Sequence, residues 1–250
     1  MRLTDDSFPR PTDLTTSGPG TDATILYARS YLIHRVAVGV LGVFLPLALI
    51  ASEVWITGDV GLRGSLSAYY HTPARDVFVA TLAVVGVLLI TYLSAQTWTQ
   101  DFWLSLVGGI AVLLVAFFPT RRPGLTDTDP RCGATPAPPG CTGLQQALGE
   151  TTVAVVHFTA AGVFVASLAA LCFVFARREQ RHGGHLGLAR FLRGCGWVMI
   201  AAMAWIVAGF GRDLSIGPVT SLYGGEVLAL LAFGTAWLTK GRHLFSRLAS

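Results

Sequence analysis

The chain has 250 residues, of which 52% are hydrophobic and only 13% are charged, and its formal net charge is +4. Soluble domains carry about 25% charged residues, and here the apolar residues are gathered in long runs between short polar stretches. This composition excludes an ordinary soluble domain, a disordered chain, a collagen-like repeat and a disulfide scaffold, since four Cys are too few for the last of these. The sequence therefore predicts a polytopic membrane protein.

The first 24 residues are rich in Thr, Asp, Pro and Gly, a composition typical of a disordered tail. They contain no basic start followed by an apolar core, so we expect no cleaved signal peptide here. We expect residues 1–24 to form a disordered cytoplasmic tail and residues 25–250 to form one transmembrane domain.

The rest of the chain predicts an all-α fold with six transmembrane helices in one bundle. A membrane-crossing helix needs about 20 mostly apolar residues, and six stretches meet or approach this length: 36–56, 77–93, 102–118, 153–176, 196–210 and 222–238. The last is the weakest, because Glu226 lies near its start. Tyr and Trp mark several span ends, as in the aromatic belt of a membrane protein. The run 82–90 lacks the alternation that a β-barrel strand would show.

The distribution of Lys and Arg predicts the orientation, because these residues are enriched in cytoplasmic loops. The side with both termini carries twelve Lys and Arg residues, and the opposite side carries six. We therefore expect an inner-membrane protein with both termini in the cytoplasm and with loops 57–76, 119–152 and 211–221 outside. Because the cytoplasmic positive charge can contact anionic headgroups, we expect membrane lipids as partners, and no nucleic acid.

The cysteines support the same orientation. Cys132 and Cys141 bracket a Pro/Gly-rich segment in a loop assigned to the outside, where disulfides persist. We predict that they form a disulfide, with two free loop thiols as the alternative. Cys172 and Cys195 lie in or beside spans and are typical of small buried apolar residues.

Polar side chains near the spans gather on the predicted outer face. Ionisable residues inside a span are costly, by about 2.5–3.5 kcal/mol at its centre, so His157 and Glu226 most need an explanation. We predict a polar pocket at the extracytoplasmic face, with these candidate residues: Glu53, Ser65, Ser67, Tyr70, His71, Arg75, Asp76, His157, Arg212 and Glu226.

Purely structural explanations exist for several of these residues. Glu226 could reach toward the membrane surface or pair with Arg212 or Arg75. His157 could be a buried neutral imidazole that hydrogen-bonds a neighbouring helix. Asp76 could cap the second span, where the helix dipole favours a carboxylate.

A functional explanation takes the same residues together. Two His and one carboxylate form a common catalytic zinc set, and His71 and His157 could supply the two His, with Asp76 or Glu226 as the third ligand. Ser67 precedes His71 by four residues, so it would share a helical face with His71 if that segment is helical, and it could then hold a metal-bound water. The chain contains no His-Glu-x-x-His, no Gly-x-Ser-x-Gly, no phosphate-binding loop and no dinucleotide fingerprint.

Several blocks resemble a family of uncharacterised bacterial multi-pass membrane proteins. The blocks are SLSAYYHTPARDVFV at 65–79, AFFPT at 116–120, HFTAA at 157–161 with Phe164 and SLA at 167–169, and WLTKG at 237–241. They extend over most of the chain from the first span onward. The resemblance implies a six-span fold whose marked residues include those of the outer face, and it implies no biochemical activity.

The segment 67–71 is also similar to the Ser-x-x-x-His element of alkaline ceramidases and adiponectin-receptor-like membrane hydrolases. These proteins bind zinc through three histidines, two of them on a late span as His-x-x-x-His. That late pair is missing here, and the chain has six predicted spans where those proteins have seven. The resemblance implies a zinc ion at His71, with His157 in place of the late pair and a carboxylate as third ligand.

Three functions remain open from the sequence. The leading hypothesis is that the outer pocket binds or senses a lipid headgroup or small solute, which needs only polar groups in an apolar setting. The alternatives are a membrane-embedded, zinc-dependent hydrolase of lipid amides or esters, and a transporter. A transporter is less favoured because the span centres hold almost no ionisable residue and no inverted repeat is visible. Small residues at 108–109, 162 and 166 could support a homo-oligomer.

Overall fold

The computed structural model describes residues 19–58, 62–92, 99–126, 128–181, 185–210, 212 and 214–249. Within these residues the chain is almost entirely helical. A 3₁₀ helix, Ser67–His71, precedes α2, and a short hairpin of β1 (Ser215–Ile216) and β2 (Val219–Thr220) lies between α6 and α7. The α-helices are α1 (Pro19–Thr57), α2 (Arg75–Thr91), α3 (Gln100–Phe117), α4 (Gly143–Leu148), α5 (Glu150–Arg181), α6 (Leu186–Gly209) and α7 (Ser221–Ala249).

The long helices follow the apolar runs, so the predicted all-α membrane fold is confirmed. Five helices of the described chain are long and apolar enough to cross a membrane: α1, α3, α5, α6 and α7. The helix at the second predicted span, α2, has 17 residues and a length of about 26 Å, which is short of the roughly 30 Å of a bilayer core. Residues 93–98, just after α2, lie outside the described chain, so the count of six spans stays a prediction.

The predicted tail differs from the structure at one boundary. Helix α1 begins at Pro19, so residues 19–24 belong to a helix, whereas residues 1–18 lie outside the described chain.

The boundaries of the other helices have local causes. The Thr99 hydroxyl accepts a hydrogen bond from the Phe102 N–H and starts α3, and Thr142 and Gln145 form a capping box that starts α4. Gly149, at φ +83°, separates α4 from α5 in a conformation that glycine readily adopts.

The long helices pack in a closed ring in the order α1, α2, α3, α5, α6, α7, and contact between α7 and α1 completes it. Successive helices run antiparallel. We call the end with Arg35 of α1 and Lys240 of α7 the termini end, and the end with the loop between Cys132 and Cys141 the disulfide end. Apolar side chains such as Leu47, Val87 and Val107 are exposed on the outer surface of the ring, as expected of helices that face lipid.

Two helix crossings in the ring depend on glycine. A Cβ atom added to Gly109 of α3 would lie 2.8 Å from the Gly86 carbonyl oxygen of α2, and one added to Gly234 of α7 would lie 2.8 Å from the Gly39 carbonyl oxygen of α1. Such close backbone approach is the usual role of small residues between transmembrane helices. The Gly108–Gly109 pair, which we considered for self-association, thus packs inside the bundle, and Gly162 has open space around it.

Charged and aromatic side chains close the termini end. Arg35 is 1% exposed, and its guanidinium carbon lies 4.5 Å from the ring centroid of Phe175 and 5.3 Å from that of Trp237, as in a cation–π contact. Arg178 donates to Asp101 at 2.6 Å. Lys240 forms an ion pair with Glu179. Helices α1, α3, α5 and α7 are thereby joined at this end.

Candidate functional site

The polar residues of the disulfide end are organised by the segment 62–76, which connects α1 to α2. Its centre is the 3₁₀ helix Ser67–His71. Leu66, Tyr69 and Tyr70 of this segment are buried, which fixes the segment against the ring. The predicted pocket residues fall into two groups on either side of it.

The first group joins the segment to α7. The Glu226 carboxylate accepts hydrogen bonds from the Leu66 backbone N–H at 2.5 Å and from the Ser67 hydroxyl at 3.1 Å. The hydroxyls of Ser65 and Ser67 are 3.1 Å apart. Hydrogen bonds to a charged acceptor are stronger than neutral ones, so Glu226 anchors the start of the 3₁₀ helix. It pairs with neither Arg212 nor Arg75, the two partners that we considered for it.

Glu53 and two tyrosines extend this group toward α1. Glu53 is 1% exposed and forms an ion pair with Arg63. Its Oε2 atom has no hydrogen-bond partner among the described residues. Tyr69 forms a side-chain hydrogen bond with Tyr223, and burial raises the pKa of Tyr69, so its hydroxyl keeps its proton.

The second group lies between the segment and helices α3 to α5. His71 Nε2 is 2.9 Å from the Thr120 carbonyl oxygen, and Gln145 Nε2 donates to the same oxygen at 2.9 Å. His157 Nδ1 is 2.6 Å from the Phe118 carbonyl oxygen. Because a carbonyl oxygen only accepts, each of these ring nitrogens must carry a proton. The two histidines thus hold the chain that leaves α3.

Burial lowers the pKa of His71, with smaller contributions in the same direction from the guanidinium groups of Arg75 and Arg122. The Thr120 carbonyl and the Glu150 carboxylate act in the opposite direction. The ring is therefore a neutral hydrogen-bond donor at neutral pH.

The predicted zinc ligands do not fit a metal ion in this arrangement. His71 Nε2 and His157 Nδ1 donate to different carbonyl oxygens, which leaves one nitrogen of each ring as a possible ligand, so the fit depends on a third ligand. Asp76 is exposed at the start of α2, and Glu226 is bound to the segment 62–76. In the part of the chain that the structure describes, no group of three His, Cys, Asp or Glu residues could hold a metal ion.

An exposed cationic surface covers the second group. The Arg75 Nη2 donates to the Tyr70 hydroxyl at 3.1 Å, and the guanidinium carbon lies 4.6 Å from the Tyr70 ring centroid. Arg121 follows Thr120 directly, is exposed, and donates to the Thr151 hydroxyl at 3.3 Å. The hydrogen bond between His71 and Thr120 therefore joins the two pieces of chain that carry Arg75 and Arg121. We call Arg75, His71 and Arg121 the arginine surface.

A second arginine, Arg122, holds the loop after α3 through several hydrogen bonds. Arg122 donates from its backbone and side chain to Glu150, with the backbone contact at 2.7 Å. It also donates to the carbonyl oxygens of Pro130 and Pro139, each of which lies two residues before a cysteine of the predicted disulfide. That disulfide, Cys132–Cys141, is confirmed, with 5.8 Å between the Cα atoms. Cys172 and Cys195 are free and buried, also as predicted.

Two predicted pocket residues lie apart from these groups. Arg212 is exposed and donates to the Ala208 carbonyl oxygen at 3.2 Å, and Asp76 is exposed with no hydrogen bond to either group among the described residues.

The sequence did not predict the roles of four other residues: Arg63, Tyr223, Gln145 and Arg121. Only Arg121 had a signal, as a charged residue shortly after a span, since the hydrogen-bond partners of these residues are 10 or more residues away and leave no spacing pattern.

Comparison with curated proteins and with solved structures gives no match. The model of one protein family, described as "Protein of unknown function (DUF998)", matches residues 40–240. The match includes the segment 62–76, the disulfide loop and α2 to α6, and it supports the predicted resemblance to an uncharacterised membrane protein family. Because it covers more than half of the chain, the protein belongs to the DUF998 family.

Proposed function

We propose that this integral membrane protein binds an anionic group, either the phosphate of a lipid headgroup or a small anionic solute, at the arginine surface of the disulfide end. The observation that carries the proposal is the position of Arg75. Its guanidinium is held against the ring and hydroxyl of Tyr70, and yet Arg75 is exposed. Tyr70 itself is 5% exposed, so it is a rigid support.

A guanidinium recognises phosphate or carboxylate through two parallel hydrogen bonds. Holding it in place before binding reduces the side-chain entropy lost on binding. Arg121, which follows the Thr120 that His71 contacts, adds a second exposed cation, whereas Arg122 is neutralised by Glu150. Asp76 follows Arg75 directly in the sequence. Its negative charge would weaken the binding of an anion with a large negative charge.

The proposal includes the orientation predicted from the sequence. We place the disulfide end outside the cytoplasm of an inner-membrane protein, with six spans, both termini inside and the loops 57–76, 119–152 and 211–221 outside. The bias of Lys and Arg supports this orientation. The disulfide supports it as well, because disulfides persist in oxidising compartments.

Binding is favoured over transport by the distribution of buried polar groups. In the described chain these groups lie at the two ends of the bundle, with Ser105 and Ser167 as the buried polar residues between them. A transported ion or polar solute needs polar groups near the middle of the membrane. Within the described residues, no contact favours the zinc hydrolase as a second candidate.

The test is a binding measurement on the detergent-purified protein with two probes, inorganic phosphate in solution and phosphatidylglycerol in mixed micelles. We expect Arg75→Gln to weaken binding of the probe that the protein recognises by about tenfold, because the substitution removes a charge-assisted hydrogen bond to that probe. Arg131→Gln, an exposed arginine of the disulfide loop, is the matched control and should change affinity less than twofold, because Arg131 lies outside the arginine surface.

The two probes separate the sources of the anion. Binding of phosphatidylglycerol that Arg75→Gln weakens assigns a lipid headgroup to the arginine surface, and binding of phosphate that Arg75→Gln weakens assigns a small solute. If neither probe binds, or if both variants bind like the wild type, the proposal is wrong.

A further inference from the structure

At the termini end the arginines outnumber the acids that could neutralise them. Asp101 is engaged by Arg178, and Glu179 is engaged by Lys240. Four exposed arginines at the end of α5 and the start of α6 have no ion pair with a carboxylate of the described residues: Arg177, Arg181, Arg190 and Arg193. A concentration of positive charge therefore remains at this place.

Helices α5 and α6 contact each other through aromatic and polar side chains next to these arginines. The rings of Phe173 and Trp197 meet edge to face, with centroids 5.4 Å apart. Arg193 Nη2 donates to Gln180 Oε1 at 2.5 Å, which links the two helices nearer the end of the bundle. Arg177 lies on the face of α5 shared by Phe173 and Gln180, because residues three and four apart on a helix are neighbours.

The surface is open toward the surroundings of the protein. Trp197 is 62% exposed. A Cβ atom added to Gly194 would meet no atom within 4 Å. We call Phe173, Arg177, Gln180, Arg193 and Trp197 the α5–α6 groove; its polar members lie at the end of the bundle, and its aromatic members lie toward the membrane interior.

We infer that the α5–α6 groove binds an anionic phospholipid of the leaflet at the termini end. Two arginines match the bidentate geometry of a phosphate. Trp is favoured at the level of lipid headgroups, because its ring is amphipathic. Basic pockets between transmembrane helices bind anionic headgroups in this way. The inference is independent of the arginine surface, which lies at the opposite end of the bundle.

The experiment is native mass spectrometry of the full chain in detergent, titrated with phosphatidylglycerol and, separately, with phosphatidylcholine of the same acyl chains. All proteins carry Arg75→Gln, so that binding at the arginine surface contributes less. The test variant adds Arg177→Gln and Arg193→Gln. The control variant adds Arg242→Gln, which removes an exposed arginine of α7 at the same end.

We expect the parent protein to retain phosphatidylglycerol and to bind phosphatidylcholine more weakly. The double substitution should weaken phosphatidylglycerol binding by about tenfold or more, as expected for two basic groups at an anionic headgroup, and the Arg242 control should change it less than twofold.

Equal affinity for the two lipids, or unchanged phosphatidylglycerol binding in the double substitution, would overturn the inference. If the double substitution does not yield folded protein, Arg177→Gln alone decides the question, because no described hydrogen bond of the fold depends on Arg177. That single substitution should then weaken phosphatidylglycerol binding by about threefold to tenfold. Unchanged binding would also overturn the inference.

Discussion

Glu226 lies in the first turns of α7, with its carboxylate turned toward the backbone of the segment 62–76. It accepts two hydrogen bonds there, from Leu66 and from Ser67. The cost of an ionisable residue near a membrane span is offset by these charge-assisted bonds. The residue is thus explained by structure, and it supports the arginine surface indirectly by fixing the segment that carries Arg75.

We predict that Glu226→Gln destabilises the protein by about 1.5–3 kcal/mol, because an amide has one accepting oxygen where the carboxylate has two. Denaturant unfolding in micelles, followed by tryptophan fluorescence, measures the change. Asp76→Asn is the control, since Asp76 is an exposed acid at the start of α2 and its interaction with the helix dipole is worth about 0.3–1 kcal/mol at most. Equal effects of the two substitutions would contradict the anchoring role of Glu226.

At the residue scale, the sequence predicted on which side of the molecule the polar residues lie, but it did not predict which residues they contact. The carboxylates and histidines of the outer face were predicted as one pocket because they lie near the same ends of spans. The structure divides them, because Glu226 meets Ser67 across 159 residues of chain and His157 meets Phe118 across 39. Pairing over such separations depends on how helices pack, and residue spacing does not encode it.

At the element scale, the crossing of α2 and α3 depends on two glycines. A methyl group on Gly109 would lie 2.7 Å from a side-chain carbon of Ile90 and 2.8 Å from the Gly86 carbonyl oxygen. Neither distance is tolerable, and the backbone oxygen cannot rotate away, so the helices must separate.

We predict that Gly109→Ala destabilises the protein by about 1–3 kcal/mol, the usual cost of overpacking. Gly162→Ala on α5 should be neutral or stabilising by up to about 1 kcal/mol, because it meets no atom within 4 Å and alanine favours the helix. The same unfolding measurement compares them. A neutral Gly109→Ala would mean that α2 and α3 are farther apart than described.

The predictable elements are those with long apolar runs, since such a run has few ways to satisfy its backbone in a membrane except as a helix. The sequence therefore indicated the apolar part of every long helix, but α1, α6 and α7 each extend 10 or more residues beyond the predicted span at one end. It left open whether Ser67–His71 is helical, and it missed the six-residue α4. Both are short and are stabilised by tertiary contacts, Glu226 for the first and the Thr120 carbonyl for the second.

At the scale of the whole molecule, the bundle is a ring with a polar layer at each end. The disulfide end is organised by hydrogen bonds to backbone groups, through Glu226, His71 and His157. The termini end is organised by ion pairs and by Arg35 among aromatic rings. We assign solute or headgroup recognition to the disulfide end because it carries the arginine surface, and lipid contact to the termini end because it carries the α5–α6 groove.

The proposed function requires above all that the disulfide end face away from the cytoplasm. Spheroplasts expressing the protein, treated with a membrane-impermeant reductant and then with a membrane-impermeant maleimide, test this directly. Cys132 and Cys141 are the reactive pair, since Cys172 and Cys195 are buried, and a Cys132→Ser/Cys141→Ser variant gives the background. We predict labelling of intact spheroplasts well above that background. Labelling that occurs only after the membrane is disrupted would place the disulfide end in the cytoplasm and contradict the account.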